Sequence, residues 1–187
     1  MNVLQYFPNF LSLLRIVLTP LVVVLLCMCC SAYVIASVVI FTLAVITDFY
    51  DGYFARKYAI ISRAGNFLDP LADKLLVLST FTAFWYLALL PLWMLLIIAL
   101  REVAVTGLRF GMEYCGKSMV TSYFGKWKTV LQFIAIYTLF LVRLKVAFVV
   151  PELVSSILYG VVGITAFSGF HYFYTNTCVS KCSDVSK

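Results

Sequence analysis

The chain has 187 residues, of which 64% are hydrophobic and 12% charged, with a net charge of +6 and a mean hydropathy of +1.03. A soluble domain carries about 25% charged residues, so this composition excludes one, and its hydrophobicity equally excludes intrinsic disorder. At ~20 residues per spanning helix, the length holds about six spans in one membrane domain, residues 1–187, with no room for a separate catalytic domain.

In chain order, the first predicted element is a short N-terminal interfacial helix within residues 1–14, where Tyr6, Phe7 and Phe10 suit the headgroup level. Apolar runs separated by Pro, Gly and charge then predict six transmembrane helices. They cover roughly Leu11 to Cys30, Ala32 to Tyr50, Leu71 to Leu90, Leu92 to Phe110, Val130 to Val150 and Leu153 to Tyr174. Residues 175–187 read as a short cytoplasmic tail. The cysteines, Cys27, Cys29, Cys30, Cys115, Cys178 and Cys182, read as small buried hydrophobes rather than a disulfide framework. The N-terminus lacks the early basic region and small-residue cleavage site of a signal peptide.

Charge sets the expected topology. Arg15, the link after the second span (Arg56, Lys57, Arg63, with Lys74 beyond), the link after the fourth (Arg109, Lys117, Lys126, Lys128, with Arg101 just before) and the tail (Lys181, Lys187) hold 12 of the 14 basic residues. Only Arg143 and Lys145 fall on the other side. Basic residues collect in cytoplasmic loops, so both termini are expected in the cytoplasm of a multi-pass protein of the cell (inner) membrane.

Four of the eight acids, Asp48, Asp51, Asp69 and Asp73, lie within 26 residues. A carboxylate at the bilayer centre costs ~2.5–3.5 kcal/mol, so such a cluster asks for a compensating cation. At about 100° per residue, Asp48, Asp51, Gly52 and Ala55 share one face of the second span, and Arg56 flanks it. Asp69 and Asp73, four apart, stack at the start of the third span, where Pro70 suits a first helical turn. The link that contains Gly65 is expected to fold back as a hairpin and bring the two acidic faces together. Carboxylates without His or Cys suit Mg²⁺ or Mn²⁺, and two such ions balance four acids. Two-metal sites serve phosphoryl chemistry. Gly52 and Ala55 leave space for a flat group and Arg56 offers a phosphate contact, which together point to a nucleotide.

The pattern D-x2-D-G-x2-A-R-x8-G-x3-D-x3-D, carried by Asp48, Asp51, Gly52, Ala55, Arg56, Gly65, Asp69 and Asp73, resembles the full signature of the CDP-alcohol phosphatidyltransferases. Pro8-Asn9 with Arg15 and Pro20, the run Arg101 to Arg109, Gly125-Lys126 with Lys128, Thr129 and Gln132, and Ser168-Gly169 with Tyr172-Phe173 resemble one branch, the phosphatidylglycerophosphate synthases. The resemblance covers nearly the whole chain. It implies an all-α integral membrane enzyme of six helices, usually a homodimer, that displaces CMP from a CDP-linked lipid by an alcohol. It further implies that Asp48, Asp51, Asp69 and Asp73 hold the metal, with Asp73 also the general base. Asp51, Gly52, Ala55, Arg56 and Gly65 would contact the CDP moiety. The branch implies CDP-diacylglycerol and sn-glycerol 3-phosphate as substrates.

The residues themselves bear on the acceptor. Glycerol 3-phosphate is an anion, and Arg101, Thr106, Arg109, Lys126 and Lys128 are the candidates for its phosphate. Choline or ethanolamine would ask for acids or an aromatic cage, which Glu102 and Glu113 do not build. His171, the single histidine, reads as a helix-end residue. Synthases that use inositol phosphate, serine or phosphatidylglycerol remain alternatives within the class. A divalent cation transporter is the alternative outside it, although it would place its acids at mid-membrane. No nucleic acid partner is expected.

Overall fold

The computed structural model contains six helices: α1 (Phe7–Cys27), α2 (Ser31–Tyr58), α3 (Arg63–Tyr86), α4 (Leu92–Tyr114), α5 (Phe124–Arg143) and α6 (Pro151–Val185). The structure describes the backbone of residues 7–58, 63–114, 124–146 and 150–185, and the side chains of residues 13–47, 71–108, 111, 128–146 and 150–170. Among the described residues there is no strand, as expected of an all-α chain.

The helices outrun the apolar runs that predicted them. α2 continues past Tyr50 to Tyr58, α3 begins at Arg63 rather than Leu71, and α5 begins at Phe124 rather than Val130. A helix satisfies its own backbone whatever its side chains, so hydropathy marks an apolar stretch and not the point where the helix stops. Three expectations change accordingly. Residues 7–14 are the first turns of α1 and not a separate interfacial helix, because Pro8 falls in the first turn, where its missing N–H has no partner to lose; residues 1–6 lie outside the described residues. The tail is helical as far as Val185. Gly65 lies in the first turn of α3 rather than in a link, which also puts Pro70 beyond the first turn. The connection between α2 and α3, residues 59–62, lies outside the described residues.

Among the described residues, Pro151–Phe170 in α6 is the one stretch long and apolar enough to cross a membrane, while Leu13–Cys27 and Ser31–Thr47 are shorter apolar stretches. Charged residues interrupt α3 and α4 (Lys74, and Arg101 with Glu102), and Lys128 lies near the start of α5. The cysteine reading is corrected in part: Cys27 is half-buried and Cys29 and Cys30 are exposed, all as free thiols, because they occupy the end of α1 and the turn after it.

The chain divides into two compact units. The first joins Met1–Leu90 to Phe140–Val146, and the second joins Pro91–Leu139 to Ala147–Lys187. In the first, α1 packs on both α2 and α3. Its buried residues, Arg15, Thr19, Val22 and Leu26, recur at helical spacing and form one inward stripe. Val34, Ser37, Phe41 and Ala44 form the matching stripe of α2. Small Ser37 and Ala44 allow close helix approach, and the Ser37 hydroxyl donates to the Val22 carbonyl at 2.9 Å. Phe140 closes this unit with an edge-on contact to Phe84 and a tilted one to Phe41, ring centroids 5.2 and 5.8 Å away. Arg143 donates to the Met28 carbonyl at 3.2 Å, which joins the ends of α5 and α1.

The second unit packs α4 against α6, with Trp93 and Tyr159 in contact near one end. Its buried stripes change character along their length. Met94, Leu95 and Ile98 lead to Glu102 on α4; Leu139, Ile136 and Ala135 lead back to Gln132 and Lys128 on α5; Leu158, Val161 and Val162 lead to Thr165 and Ser168 on α6. The outward faces are apolar: on α1, Leu21 is 44% and Val17 63% exposed. Several hydroxyl side chains within the helices bond the carbonyl one turn back, as Thr80 does to Leu76 at 2.7 Å and Thr138 to Ile134 at 2.7 Å, which satisfies their donors locally.

Helices α3 and α5 end in the same way. The Leu89 N–H reaches the Phe84 carbonyl and the Ala88 N–H the Trp85 carbonyl, with Ala88 at φ 57°. The Val146 and Lys145 N–H groups do likewise to Leu141 and Val142, with Lys145 at φ 54°. Both ends place a side-chain-bearing residue where glycine is preferred. Replacing Ala88 by Gly should therefore stabilise the protein by about 1 kcal/mol, since a left-handed residue with a Cβ carries roughly 1–2 kcal/mol of strain, partly offset by glycine's entropy. Thermal unfolding of the detergent-solubilised protein would read this as a raised midpoint; a lowered one would contradict the assignment of strain.

Candidate active site

The structure sorts the candidate residues by unit. Asp48, Asp51, Gly52, Ala55 and Arg56 lie on the last turns of α2, and Gly65, Asp69 and Asp73 on the first turns of α3. The helical backbone through Tyr58 supports the register that gives Asp48, Asp51, Gly52 and Ala55 one face. Asp73 is half-buried, next to buried Ala72. The side chains of the other seven motif residues lie outside the described residues, and so does the expected meeting of the two acidic faces. Among the described residues no group of three His, Cys, Asp or Glu side chains lies together. The chemistry of the donor set itself fits a divalent ion: the motif offers carboxylate oxygens alone, the ligands of a hard cation.

The second unit holds a connected polar cluster where its three stripes turn polar. Its centre is Glu102, 4% exposed. One carboxylate oxygen of Glu102 pairs with the Lys128 ammonium and accepts a hydrogen bond from Gln132 Nε2 at 3.3 Å. The other oxygen faces Arg101 Nη1 at 3.4 Å. Arg101 Nη2 donates to Ser168 Oγ at 3.0 Å. Lys128 and Gln132, four residues apart on α5, present both donors on one side of that helix. One turn before Ser168 on α6, the Thr165 hydroxyl oxygen is buried without a hydrogen-bond partner.

Of the acceptor-phosphate candidates, Arg101 and Lys128 meet at Glu102. Thr106 donates to the Glu102 carbonyl at 2.5 Å, one turn back along α4. Arg109 and Lys126 lie on α4 and α5, with side chains outside the described residues. The same holds for His171 on α6. Lys128 begins inside α5 and not ahead of it, which is what allows it to share a face with Gln132.

Glu102, Gln132 and Ser168 were read in the sequence only as parts of the branch motifs, without a role at the site. A signal was present. An acid inside the apolar stretch of α4 needs a counter-ion, and Lys128 with Gln132 at i, i+4 is a donor pair suited to it. Gly169 belongs here as well. A Cβ at this position would lie 3.0 Å from Arg101 Cγ, so the absence of a side chain gives the arginine stem its path.

Residues 5–165 match the CDP-alcohol phosphatidyltransferase family, and the chain belongs to that family of enzymes. It is similar to the CDP-diacylglycerol–glycerol-3-phosphate 3-phosphatidyltransferase of Bacillus subtilis (strain 168), 39% identical over 150 residues that make up 80% of this chain and 78% of the relative. The protein of that name from Rickettsia bellii (strain RML369-C) is 32% identical over 174 residues, 92% of this chain and 96% of the relative. The one from Salmonella choleraesuis (strain SC-B67) is 35% identical over 137 residues, 69% and 73% of the two chains.

A buried ion pair is costly to break from one side only. Glu102→Ala leaves Lys128 buried without this carboxylate and should lower stability by about 3–5 kcal/mol. Glu102→Gln, which keeps a carbonyl acceptor, should cost less. Denaturation midpoints of the two variants check this order; equal, near-wild-type midpoints would mean that the pair is not buried in the protein.

Proposed function

We propose that the chain is a phosphatidylglycerophosphate synthase, transferring the phosphatidyl group of CDP-diacylglycerol to sn-glycerol 3-phosphate with release of CMP. The observation that carries this reading is its similarity, over as much as 92% of its length, to relatives named for that reaction. The unbroken acidic signature on α2 and α3 supports the chemistry, and the cations of α4 and α5 support an anionic acceptor.

The protein would work within the cell membrane. The outward residues of α1, α2, α4 and α6, such as Val17, Val39, Leu96 and Phe167, are apolar and exposed at helical spacing, a surface suited to lipid. Six spans with both termini and the active site at the cytoplasmic face accord with the distribution of Lys and Arg. A homodimer accords with the family resemblance of the sequence.

Asp48, Asp51, Asp69 and Asp73 would hold two Mg²⁺ or Mn²⁺ ions, which when bound supply positive charge to phosphoryl oxygens. Asp51, Gly52, Ala55, Arg56 and Gly65 would hold the CDP moiety: Arg56 offers a cation to phosphate, and the two small residues leave room for a flat group. The acceptor's hydroxyl oxygen attacks the phosphorus next to diacylglycerol, and the bond from that phosphorus to the CMP oxygen breaks. Asp73 takes the hydroxyl proton, a role that fits its half-buried place on α3. No Ser, Cys or His lies in the motif with a paired base, so the displacement is a single in-line step with inversion at phosphorus.

The test uses purified protein, CDP-diacylglycerol, labelled glycerol 3-phosphate and Mg²⁺. CMP release should require both substrates and stop with EDTA. Asp69→Asn should abolish turnover without loss of folded protein. Asp73→Asn should reduce turnover by roughly 10²–10⁴-fold, the range of a general base, with little loss of CDP-diacylglycerol binding. Near-normal turnover of Asp69→Asn at saturating metal would refute the metal assignment. Collapse of nucleotide-lipid binding in Asp73→Asn would make Asp73 a ligand rather than the base.

A further inference from the structure

Away from the acids of α2 and α3 and from the Glu102 cluster, nucleophilic side chains gather where α1 turns into α2. Cys27 and Cys30 form a C-x-x-C pair, the spacing of dithiols that open and close a disulfide. Cys27 is the last residue of α1 and half-buried; Cys30 immediately precedes α2 and is exposed; both are free thiols. The chain reverses between them. The Met28 N–H closes a tight turn on the Leu25 carbonyl at 3.3 Å, and the Cys30 carbonyl accepts the Tyr33 N–H at 3.1 Å as α2 begins. The Ser37 hydroxyl then reaches back to Val22, so the two helices run side by side in opposite directions. Three Cα steps of ~3.8 Å span about 11 Å when straight, and a reversal within them draws the two Cα atoms toward the roughly 4.4–6.8 Å of a disulfide. Arg143 donates to the Met28 carbonyl, which holds a cation on this turn. Among the described residues no third His, Cys, Asp or Glu, Cys29 included, groups with the pair, so the four ligands of a closed zinc site are not supplied.

We propose that Cys27 and Cys30 are a thiol–disulfide exchange site, open at the outer face of the membrane to an anionic disulfide of low molecular weight. The exposed Cys30 sulfur attacks one sulfur of the external disulfide; that S–S bond breaks, and the first external thiol leaves with the proton that Cys30 gives up. The Cys27 sulfur, set behind it, then attacks Cys30; the mixed S–S bond breaks, and the second external thiol leaves with the Cys27 proton. Two thiols of the protein are oxidised to one disulfide, and the external disulfide is reduced to two thiols. The outward placement rests on the topology proposed above: with both termini cytoplasmic, the α1–α2 turn faces the other side, where disulfides persist. Arg143 and Lys145 are the basic residues of that side, which favours an anionic partner. The site is separate from the acidic signature, since Asp48 lies ~27 Å further along α2 at ~1.5 Å per residue.

The experiment treats purified, full-length protein in detergent with an excess of oxidised glutathione, then maps the cysteines by peptide mass spectrometry. Wild type should lose the free thiols of Cys27 and Cys30 together and carry a bond between them. Cys29→Ser should close the same bond. Cys27→Ser should stop at the intermediate, with glutathione retained on Cys30. Wild type needs no substitution, so its map stands even where a variant does not fold. Glutathione retained on Cys30 of wild type without closure, a bond mapped to Cys29, or thiols left unchanged would overturn the proposal. A second arm gives the same reagent, which is charged and does not cross the bilayer, to sealed right-side-out and inside-out vesicles. Closure in the right-side-out vesicles alone is expected. Closure in the inside-out vesicles alone would overturn the topology and the outward placement with it, whereas failure to close in detergent overturns the exchange site and leaves the topology standing.

Discussion

A carboxylate buried among three helices must be met by charge from within the bundle, and Glu102 sets that constraint for the second unit. Interaction between charges strengthens as the surrounding dielectric falls, and so does the penalty for leaving one unmet. Glu102 is met by Lys128, Gln132 and Arg101, which arrive from two helices. This ties α5 to α4, and through Arg101 and Ser168 it ties α4 to α6. The apolar stripes of these helices bring them together without fixing their rotation or depth, because Leu, Ile and Val are interchangeable in shape to within a small cost. The polar ends do fix them, since a slip of one turn would strand a charge.

The same economy of charge governs the first unit. Its buried stripes on α1, α2 and α3 are mostly apolar and small, with a hydroxyl-to-carbonyl bond from Ser37 and the aromatic trio around Phe140 as the specific contacts. The motif acids lie where the apolar runs of α2 and α3 give out, Asp48 and Asp73 just inside those runs and Asp51 and Asp69 just beyond them. Helices that extend past those runs carry polar chemistry on a rigid backbone instead of on loops. A site built on helices holds its groups in closer register than one built on flexible links.

Much of this was legible from the residues in order. Apolar runs predicted six helices because their length and separation by Pro, Gly and charge leave few alternatives. The acidic signature was legible because all its members lie within one stretch of chain and its helical register can be read locally. The helix ends were not: Gly65 looks like a turn residue and Lys128 like a loop anchor, yet both lie inside helices, since polar side chains do not stop a backbone from hydrogen bonding to itself. The Glu102 cluster was hidden for a different reason. Gln132 lies 30 and Ser168 67 residues from their partners on α4, and no local pattern says which polar residues of separate helices will meet. Arg101 and Lys128 were recognised as cations for an anion, but the acid between them was weighed only as a poor cage for an amine.

The proposed function asks the cations of α4 and α5 to select an anionic alcohol. The most direct measurement gives the purified protein CDP-diacylglycerol with an equimolar mixture of glycerol 3-phosphate, inositol phosphate, serine and phosphatidylglycerol, and identifies the lipid products by mass spectrometry. Phosphatidylglycerophosphate is expected as the dominant product. Phosphatidylserine as the main product would contradict it, because serine brings no phosphate for these cations to hold.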